Sequence, residues 1–245
     1  MRRNSRRFRM GNEKLVSEIR RELRRHATEK QRKGAFYYFK EKIKPIGAKL
    51  PEVGRIAKEF DRKHYADLGL VSLLNLCSEL QKGGWFEEQI IAGYLADFHR
   101  KEFTQETFGI FEGWVDDHVD NWANCDNLCN HAVAACVEKY PALLDELKKW
   151  TSSENRWKRR AAAVTLILPA RHGKFLKEVL EIAERNIYDK DDMVQKGTGW
   201  LLREAAKKHE DEVFAFLLKH KDAGRTLLRY AVERFPGKRK KAVLV

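Results

Sequence analysis

The 245-residue chain has five prolines, four cysteines and no apolar run close to the ~18 residues that a membrane-spanning helix needs. No stretch alternates apolar and polar residues with the period of two that a half-buried β-strand requires. Leu, Ala, Glu, Lys and Arg dominate instead, and 43% of the residues are hydrophobic, which is enough to fill a core. We therefore predict a soluble, all-α protein.

The four cysteines form no Cys-x-x-Cys pair, and no secretion signal precedes them. This pattern predicts reduced thiols in a cytoplasmic protein. Cys125, Cys129 and His131 could surround a zinc ion, but residues 125 and 129 lie one helical turn apart and no second ligand pair follows at a usable spacing. Small core residues explain these cysteines better, so we predict no metal site.

The formal net charge of +13 is unevenly distributed. Basic residues outnumber acidic ones by 13 to 4 in residues 1–33 and by 22 to 13 in residues 151–245, whereas acidic residues lead by 19 to 14 in residues 34–150. Two basic ends around an acidic middle favour a polyanionic partner, most often a nucleic acid. The alternative is that the charge serves solubility alone.

Large residues recur along the chain at a nearly constant spacing. Trp85, Trp122, Trp157 and Met193 each follow a turn-like cluster of acidic, Asn or Gly residues, and they are separated by 37, 35 and 36 residues. Each is followed by a helix, a short polar break and a second helix. Helix pairs of this size are typical of a HEAT-like α-solenoid, in which corresponding positions converge on a concave face. We predict a single HEAT-like domain over residues 12–235.

The two ends of the chain are basic. Residues 1–11 carry few apolar anchors and are predicted to be disordered. The helical spacing of Ile19 and Leu23 then predicts an exposed amphipathic capping helix over about residues 12–28. Residues 236–245 are predicted to form a flexible basic tail, which either is simply solvated or adds salt-sensitive affinity for DNA.

Four consecutive aromatic residues occupy positions 36–39. We predict a short aromatic helix there, then a loop broken by Pro and Gly and a new helix opened by Pro51. Four consecutive aromatics cannot all face inward on one helix, so at least one tyrosine is expected to be exposed. Tyr38 is the candidate.

Residues 119–131 concentrate unusual side chains. Asp120 is the expected N-cap of an amphipathic helix, on which Trp122 and Asp126 lie four residues apart and share one strip beside the apolar face. Because a buried charge without a partner is costly, this pair is a poor way to build a core but a good way to hold a cation. The alternatives are a solvated or arginine-paired Asp126 and a Trp122 at the core rim.

A second candidate surface is the predicted helix after Met193. Lys196, Trp200, Arg203 and Lys207 fall at i, i+4, i+7 and i+11, which makes one basic stripe around an indole. Trp200 could equally be a core residue. A tryptophan within such a stripe is better explained by a surface that faces phosphates and sugars. Further basic residues expected to bind DNA are Lys158, Arg159 and Arg229.

Four segments share motifs with a known family. Residues 121–126 contain Trp and Asp four apart, residues 155–162 read Asn-Arg-Trp-Lys-Arg-Arg-Ala-Ala, and residues 195–204 read Gln-Lys-Gly-Thr-Gly-Trp-Leu-Leu-Arg-Glu. The fourth and weakest is Tyr38 with Gly47 and Pro51. Together they span residues 34–235 and resemble the AlkD-like DNA alkylation repair glycosylases, HEAT-like solenoids that excise alkylated purines.

The resemblance implies roles for individual residues. Asp126 would be the catalytic carboxylate, Trp122, Trp200 and Tyr38 would line the cleft around the lesion nucleotide, and Arg160 would contact the DNA backbone. It implies a cofactor-free glycosylase, acting as a monomer on duplex DNA with alkylated purines, in the cytoplasm or at a bacterial nucleoid. Family members often carry a second aromatic residue at the position that Asn121 occupies here. The basic N-terminus has no counterpart in the family.

A different class of function remains open on the sequence alone. Some solenoids of this architecture are non-catalytic scaffolds that bind nucleic acid or an acidic protein. RNA binding is favoured by charge only. Asp126 discriminates between enzyme and scaffold, because a pure polyanion binder gains nothing from a carboxylate beside its cleft tryptophan.

Overall fold

A computed structural model describes the backbone from Arg2 to Val245 and the side chains from Asn12 onward. The backbone is helical from Arg2 onward, where disorder was predicted for residues 1–11, and Met1 lies outside the described residues. The described backbone is helical and contains no β-strand, apart from one isolated bridge between Ala27 and Ala48. The all-α prediction is therefore confirmed.

The backbone contacts divide the chain into two compact units, Met1–Leu128 and Cys129–Val245. The prediction of a single domain over residues 12–235 stays a prediction. The helices of the first unit are α1 (Arg2–Arg25), α2 (Glu29–Ala35), α3 (Leu50–Gly83), α4 (Phe86–Phe98), α5 (Gln105–Asp117) and α6 (Trp122–Leu128), with a 3₁₀ turn at Arg100–Glu102.

The second unit begins with a π-helical turn, Cys129–Val133, which continues directly from α6. Its helices are α7 (Ala134–Lys139), α8 (Leu144–Trp150), α9 (Arg156–Val164), α10 (Ile167–Arg171), α11 (Leu176–Asn186), α12 (Asp192–Ala205), α13 (Glu210–Lys219), α14 (Arg225–Ala231) and α15 (Gly237–Leu244), with a 3₁₀ turn at Pro141–Leu143. None of the described helices is long and apolar enough to cross a membrane.

The repeat register predicted from the large residues is confirmed. Trp85 precedes α4, Trp122 begins α6, and Trp157 and Met193 are the second residues of α9 and α12. The last two helices start where Asn155 and Asp191 accept hydrogen bonds from backbone amides of the first turn. These side chains satisfy amides that have no partner inside the helix, which is why the repeats begin at these positions.

Helix α1 is part of the core of its unit rather than an exposed cap. Ile19 and Leu23 are fully buried. Arg20 donates two hydrogen bonds to Glu88, whose carboxylate is fully buried at the start of α4, with Nε···Oε1 2.6 Å and Nη2···Oε2 3.0 Å. A two-pronged bond of this kind fixes orientation as well as position. The predicted helix is thus confirmed, and its predicted exposure is wrong.

The prediction of a short helix at residues 36–39 is wrong. Helix α2 ends at Ala35, and the four aromatics follow it in a turn and an irregular loop. Proline at position 51 lies in the first turn of α3, as expected. The loop is held by Glu87 of α4, whose buried carboxylate accepts hydrogen bonds from the backbone amides of Ile46, Gly47 and Ala48 at 2.7, 2.7 and 3.1 Å. These long-range bonds satisfy the backbone amides of the loop that was predicted between the aromatic segment and Pro51.

The basic C-terminus is a packed helix rather than a flexible arm. In α15, Val243 is buried. Arg239 forms ion pairs with Glu210 and Asp211 in the first turn of α13, at 2.8 and 2.5 Å. Glu210 and Asp211 are also favourable at the N-terminus of α13, because their negative charge complements the helix dipole. The prediction of a flexible tail over residues 236–245 is wrong.

The cysteines are buried free thiols, as predicted from their spacing. Burial raises the pKa of Cys77 far above its ordinary value and that of Cys136 to about 12, which keeps both protonated. Among the described residues, no group of His, Cys, Asp and Glu is arranged to hold a metal ion.

Candidate active site

The N-terminus of α6 is capped by Asn121 and not by Asp120. The backbone amide of Asn124 donates to Asn121 Oδ1 at 3.0 Å, and Asn121 Nδ2 donates to Asp120 Oδ1 at 2.8 Å. The carboxamide can accept at the helix end and donate outward at once, which a carboxylate cannot do. Asn121 is almost fully buried, so its departure from the family pattern has a structural role.

Trp122 and Asp126 lie one turn apart on α6, and both are half-buried, as expected for residues that share one strip beside the apolar face. The indole Nε1 of Trp122 donates to the backbone carbonyl of Tyr38 at 3.3 Å. Phe39 stacks on the indole, with ring centroids 5.2 Å apart and an interplanar angle of 19°. Phe39 also meets Phe86 edge-on at 5.3 Å. The orientation of Trp122 is therefore set by neighbours that the sequence analysis did not identify.

Helix α6 is held closely against α4. Asn127 Nδ2 donates to the carbonyl of Ile90 at 3.1 Å, and a Cβ on Gly93 would come within 2.1 Å of that same amide nitrogen. Asn124 also donates to the side chain of the buried Gln89. Short polar side chains on α6 and a glycine on α4 thus allow a close approach, which gives Trp122 and Asp126 a rigid base.

The π-helical turn Cys129–Val133 begins three residues after Asp126. One-turn π segments occur frequently at functional sites, because the extra residue changes the direction of the side chains around it. The apolar spacing of this segment predicts an amphipathic helix and gives no sign of a π turn. The π turn is the second feature of the segment that the sequence did not predict.

Two of the three predicted basic residues on α9 are engaged within the second unit. Arg160 is buried and donates from Nη1 to the carbonyl of Met193 at 2.6 Å. Arg159 binds Asp189 at 2.6 Å and the carbonyl of Ser153 at 2.9 Å. Both arginines therefore brace the segment around the start of α12. A direct phosphate contact by Arg160, as the resemblance implies, is not supported by this burial.

The third basic residue of α9, Lys158, is half-buried. Its Nζ lies 5.6 Å from the ring centroid of Trp150. Trp150 is almost fully buried, so this lysine extends along the edge of the core with its charge toward an aromatic ring.

The basic stripe predicted on α12 is only partly formed. Lys196 binds Asp192 one turn earlier at 2.7 Å, and Arg203 pairs with Glu233. Lys207 is exposed, but it lies beyond the end of the helix at Ala205. The expectation of four residues on one helical stripe is therefore wrong at its last position.

Glu204 organises the end of α12. Its carboxylate is 1% exposed and is approached by Arg171 at 2.8 Å, by Arg203 at 3.6 Å and by Lys207. Burial by itself raises the pKa of the Glu204 carboxyl, but hydrogen bonds from Lys207 and Arg171 outweigh it and hold the pKa below its ordinary value of 4.5. Arg203 and Lys207, which were predicted from the sequence to bind DNA, thus stabilise the buried carboxylate of Glu204.

Much of the motif at residues 195–204 is explained by packing. A Cβ on Gly197 would lie 3.2 Å from the side chain of Arg160, and a Cβ on Gly199 would lie 2.6 Å from the carbonyl of Leu227 in α14. Gln195 donates to the carbonyl of Asp189 at 2.9 Å. Trp200 between these glycines and Glu204 is half-buried, and its predicted role in the cleft stays a prediction.

Replacement of Gly199 by Ala is expected to lower the free energy of unfolding by about 1–3 kcal/mol, because the methyl group would force α12 away from α14. Gly109, inside α5, is a matched control, since a Cβ there meets nothing within 4 Å. Gly109→Ala is expected to raise stability by about 0.5–1 kcal/mol. Urea unfolding followed by circular dichroism measures both. Equal stability of the two variants would contradict the close approach.

Comparisons with known proteins agree with the fold. A family model for DNA alkylation repair enzymes matches residues 19–235. Among solved structures, the chain is similar to a protein from Enterococcus faecalis described as a predicted DNA alkylation repair enzyme, with a TM-score of 0.76, 17% identity, and coverage of 86% of this chain and 98% of that chain. At this identity the likeness shows an all-α helical-repeat fold. A comparison with curated protein sequences gives no match.

The family match covers most of the residues that the structure describes. It includes α6, with Trp122 and Asp126, and the whole of α12. The resemblance predicted from the sequence motifs is therefore confirmed, and the chain belongs to the DNA alkylation repair enzyme family.

Proposed function

We propose that this protein is a monofunctional DNA glycosylase, which hydrolyses the N-glycosidic bond of cationic alkylated purines, N3-alkyladenine and N7-alkylguanine, in duplex DNA. The observation that carries this proposal is the pair on α6. Asp126 lies one turn after Trp122, both are half-buried, and the indole is held by Phe39 and by the carbonyl of Tyr38. Family membership supports alkylation repair, and the pair supports this particular chemistry.

An alkylated purine is by itself a good leaving group. A purine alkylated at N3 or N7 carries a positive charge, and it takes the electrons of the C1′–N bond to leave as a neutral base, so no general acid is required. What remains is an oxocarbenium-like sugar that needs a nearby negative charge and a water molecule. Asp126 would stabilise that sugar, orient the water as it adds to C1′, and receive its proton.

The aromatic residues would complete the site. Indole faces attract cations, and the attraction strengthens when water is partly excluded. Trp122 is proposed to face the charged lesion nucleotide, with Tyr38 beside it. This chemistry uses no metal ion and no redox cofactor.

The exposed cations are better candidates for phosphate contacts than the buried ones. Arg229 is exposed, whereas Lys196, Arg203 and Lys207 are each engaged in an ion pair with a carboxylate. We propose Arg229 as a contact to the DNA backbone. We propose that Arg160, which is hydrogen-bonded to Met193, holds the shape of this surface.

Affinity for undamaged duplex is expected to fall steeply with salt and to depend little on sequence, because phosphate contacts carry no base information. Arg229→Gln is expected to reduce the slope of log K against log salt by about 0.9, which is one released counterion. Fluorescence anisotropy between low and moderate salt measures the slope. Lys177→Gln on α11, which removes an exposed cation outside the proposed contacts, is the control and should leave the slope unchanged. A salt-independent affinity of the parent protein would contradict the proposal.

The activity itself is tested with a duplex that contains one N7-methylguanine. Incubation with the protein followed by alkaline cleavage of abasic sites is expected to yield a strand break at that position. A matched duplex with guanine should remain intact. If no alkylated purine of any size is released, the protein is instead a non-catalytic helical-repeat scaffold, and its likeness to repair enzymes is one of architecture.

A further inference from the structure

Three consecutive aromatic side chains project into solvent after α2. Phe36 is 52% exposed, Tyr37 91% and Tyr38 76%. Scattered exposed apolar residues are normal on protein surfaces, but a contiguous aromatic patch indicates a binding surface. Tyr38 already belongs to the proposed site, whereas Phe36 and Tyr37 have no role in it.

The turn that carries these rings is fixed at both ends. The backbone amides of Tyr37 and Tyr38 donate to the carbonyls of Gly34 and Ala35 at 3.2 and 3.1 Å. On the other side, Phe39 is packed between Phe86 and Trp122. Because the backbone is already ordered, the turn loses little conformational entropy when a ligand stacks on its rings. Among the described residues, no aromatic ring contacts the three exposed side chains.

The charges around the turn favour a polyanion. Lys33, Lys40, Lys42 and Lys44 are all exposed, and Glu41 is the only acidic residue in this stretch of the sequence. Aromatic rings interleaved with cations match a ligand that has π-faces and phosphates. Single-stranded nucleic acid has both, and stacking of its bases on aromatic side chains tolerates any sequence.

Duplex DNA offers no such faces, because each base is covered by its stacked neighbours. We infer that Phe36 and Tyr37 stack on unpaired bases of the DNA, so that the protein prefers duplexes whose pairing is already disrupted. The hydrogen bond between Trp122 and the Tyr38 carbonyl places this platform next to the proposed site. The inference rests on the proposed DNA substrate and is independent of base excision.

The test compares two duplexes without alkylated bases, one fully paired and one with 2-aminopurine opposite a tetrahydrofuran abasic analogue. The full-length protein is expected to bind the second about tenfold more tightly and to quench its fluorescence, since stacking contributes on the order of one factor of ten per base. Tyr37→Leu and Phe36→Leu should each remove most of that preference. Tyr37→Phe keeps the ring and should retain it. Tyr188→Leu, which removes an exposed tyrosine of the other unit, should change nothing.

The outcomes separate this inference from the proposed function. Equal binding of the two duplexes by the parent protein, or full preference in Tyr37→Leu, overturns the stacking platform while leaving glycosylase activity possible. Loss of preference in Tyr37→Phe equal to that in Tyr37→Leu also overturns it, because the hydroxyl group and not the ring would then bind. A preference without any release of N7-methylguanine supports the platform and contradicts the glycosylase.

Discussion

Asp126→Asn is expected to slow the excision of N7-methylguanine by about 10²–10³-fold, the range for removal of one preorganised group aimed at developing charge. The amide keeps the size of the side chain but removes its charge, so the oxocarbenium-like sugar loses its stabilising anion. DNA binding should be unchanged or slightly tighter, because a negative charge near phosphate disappears. Single-turnover release at saturating protein isolates the chemical step from binding and product release.

The matched control is Asp120→Asn. Asp120 is an exposed carboxylate six residues earlier, and its Oδ1 accepts a hydrogen bond from Asn121 that an amide oxygen can also accept. This variant should excise at the parental rate. Circular dichroism of both variants checks folding. If folded Asp126→Asn excises as fast as the parent protein, Asp126 is not the group that stabilises the transition state.

Glu204→Gln is expected to lower the free energy of unfolding at neutral pH by about 3 kcal/mol, the low end of the range for breaking a buried ion pair. The substitution removes the anion that Arg171, Arg203 and Lys207 share. Each of these cations is partly exposed to solvent, which reduces the loss of stability. Glu233→Gln is the control, because Glu233 pairs with Arg203 from an exposed position and should contribute at most about 1 kcal/mol. Urea titrations of the three proteins measure these differences.

The Glu204 effect should also depend on pH. Because its folded-state pKa lies below the ordinary value of 4.5, ionisation stabilises the fold at all pH values above 4.5, and this stabilisation is lost as the pH falls through the lowered pKa. The stability difference between the parent protein and Glu204→Gln should therefore be constant from neutral pH to about 5 and shrink in more acidic solution. A difference that grows on acidification would contradict the assignment.

A stripe of basic residues in the sequence does not predict which of their side chains are available to bind DNA. Arg159 and Arg203 look alike as surface cations in the sequence, yet Arg159 is bound to Asp189 and Arg203 to Glu233, each 30 residues away. Arg160 is buried against Met193, which follows it by 33 residues. Charge is a property of one residue, whereas its availability to DNA depends on partners supplied by other helices.

Features that arise within one or two helical turns were predictable from the sequence. The helical class, the starts of the repeats and the shared strip of Trp122 and Asp126 all depend on periodicity and on neighbours three or four residues apart. The burial of Cys125 and Cys129 followed from the same apolar face.

Only the tertiary structure decided the features that depend on distant contacts. Phe39 packs on Trp122 across 83 residues of sequence, and Glu87 holds the loop at Ile46 across 41. The aromatic segment at residues 36–39 is a turn and a loop, although a helix was predicted there. The C-terminal segment is a docked helix because Arg239 finds acidic partners on α13. Local sequence order determines which helices can form, while long-range hydrogen bonds and ion pairs, which no local pattern encodes, determine where they end and which side chains remain exposed.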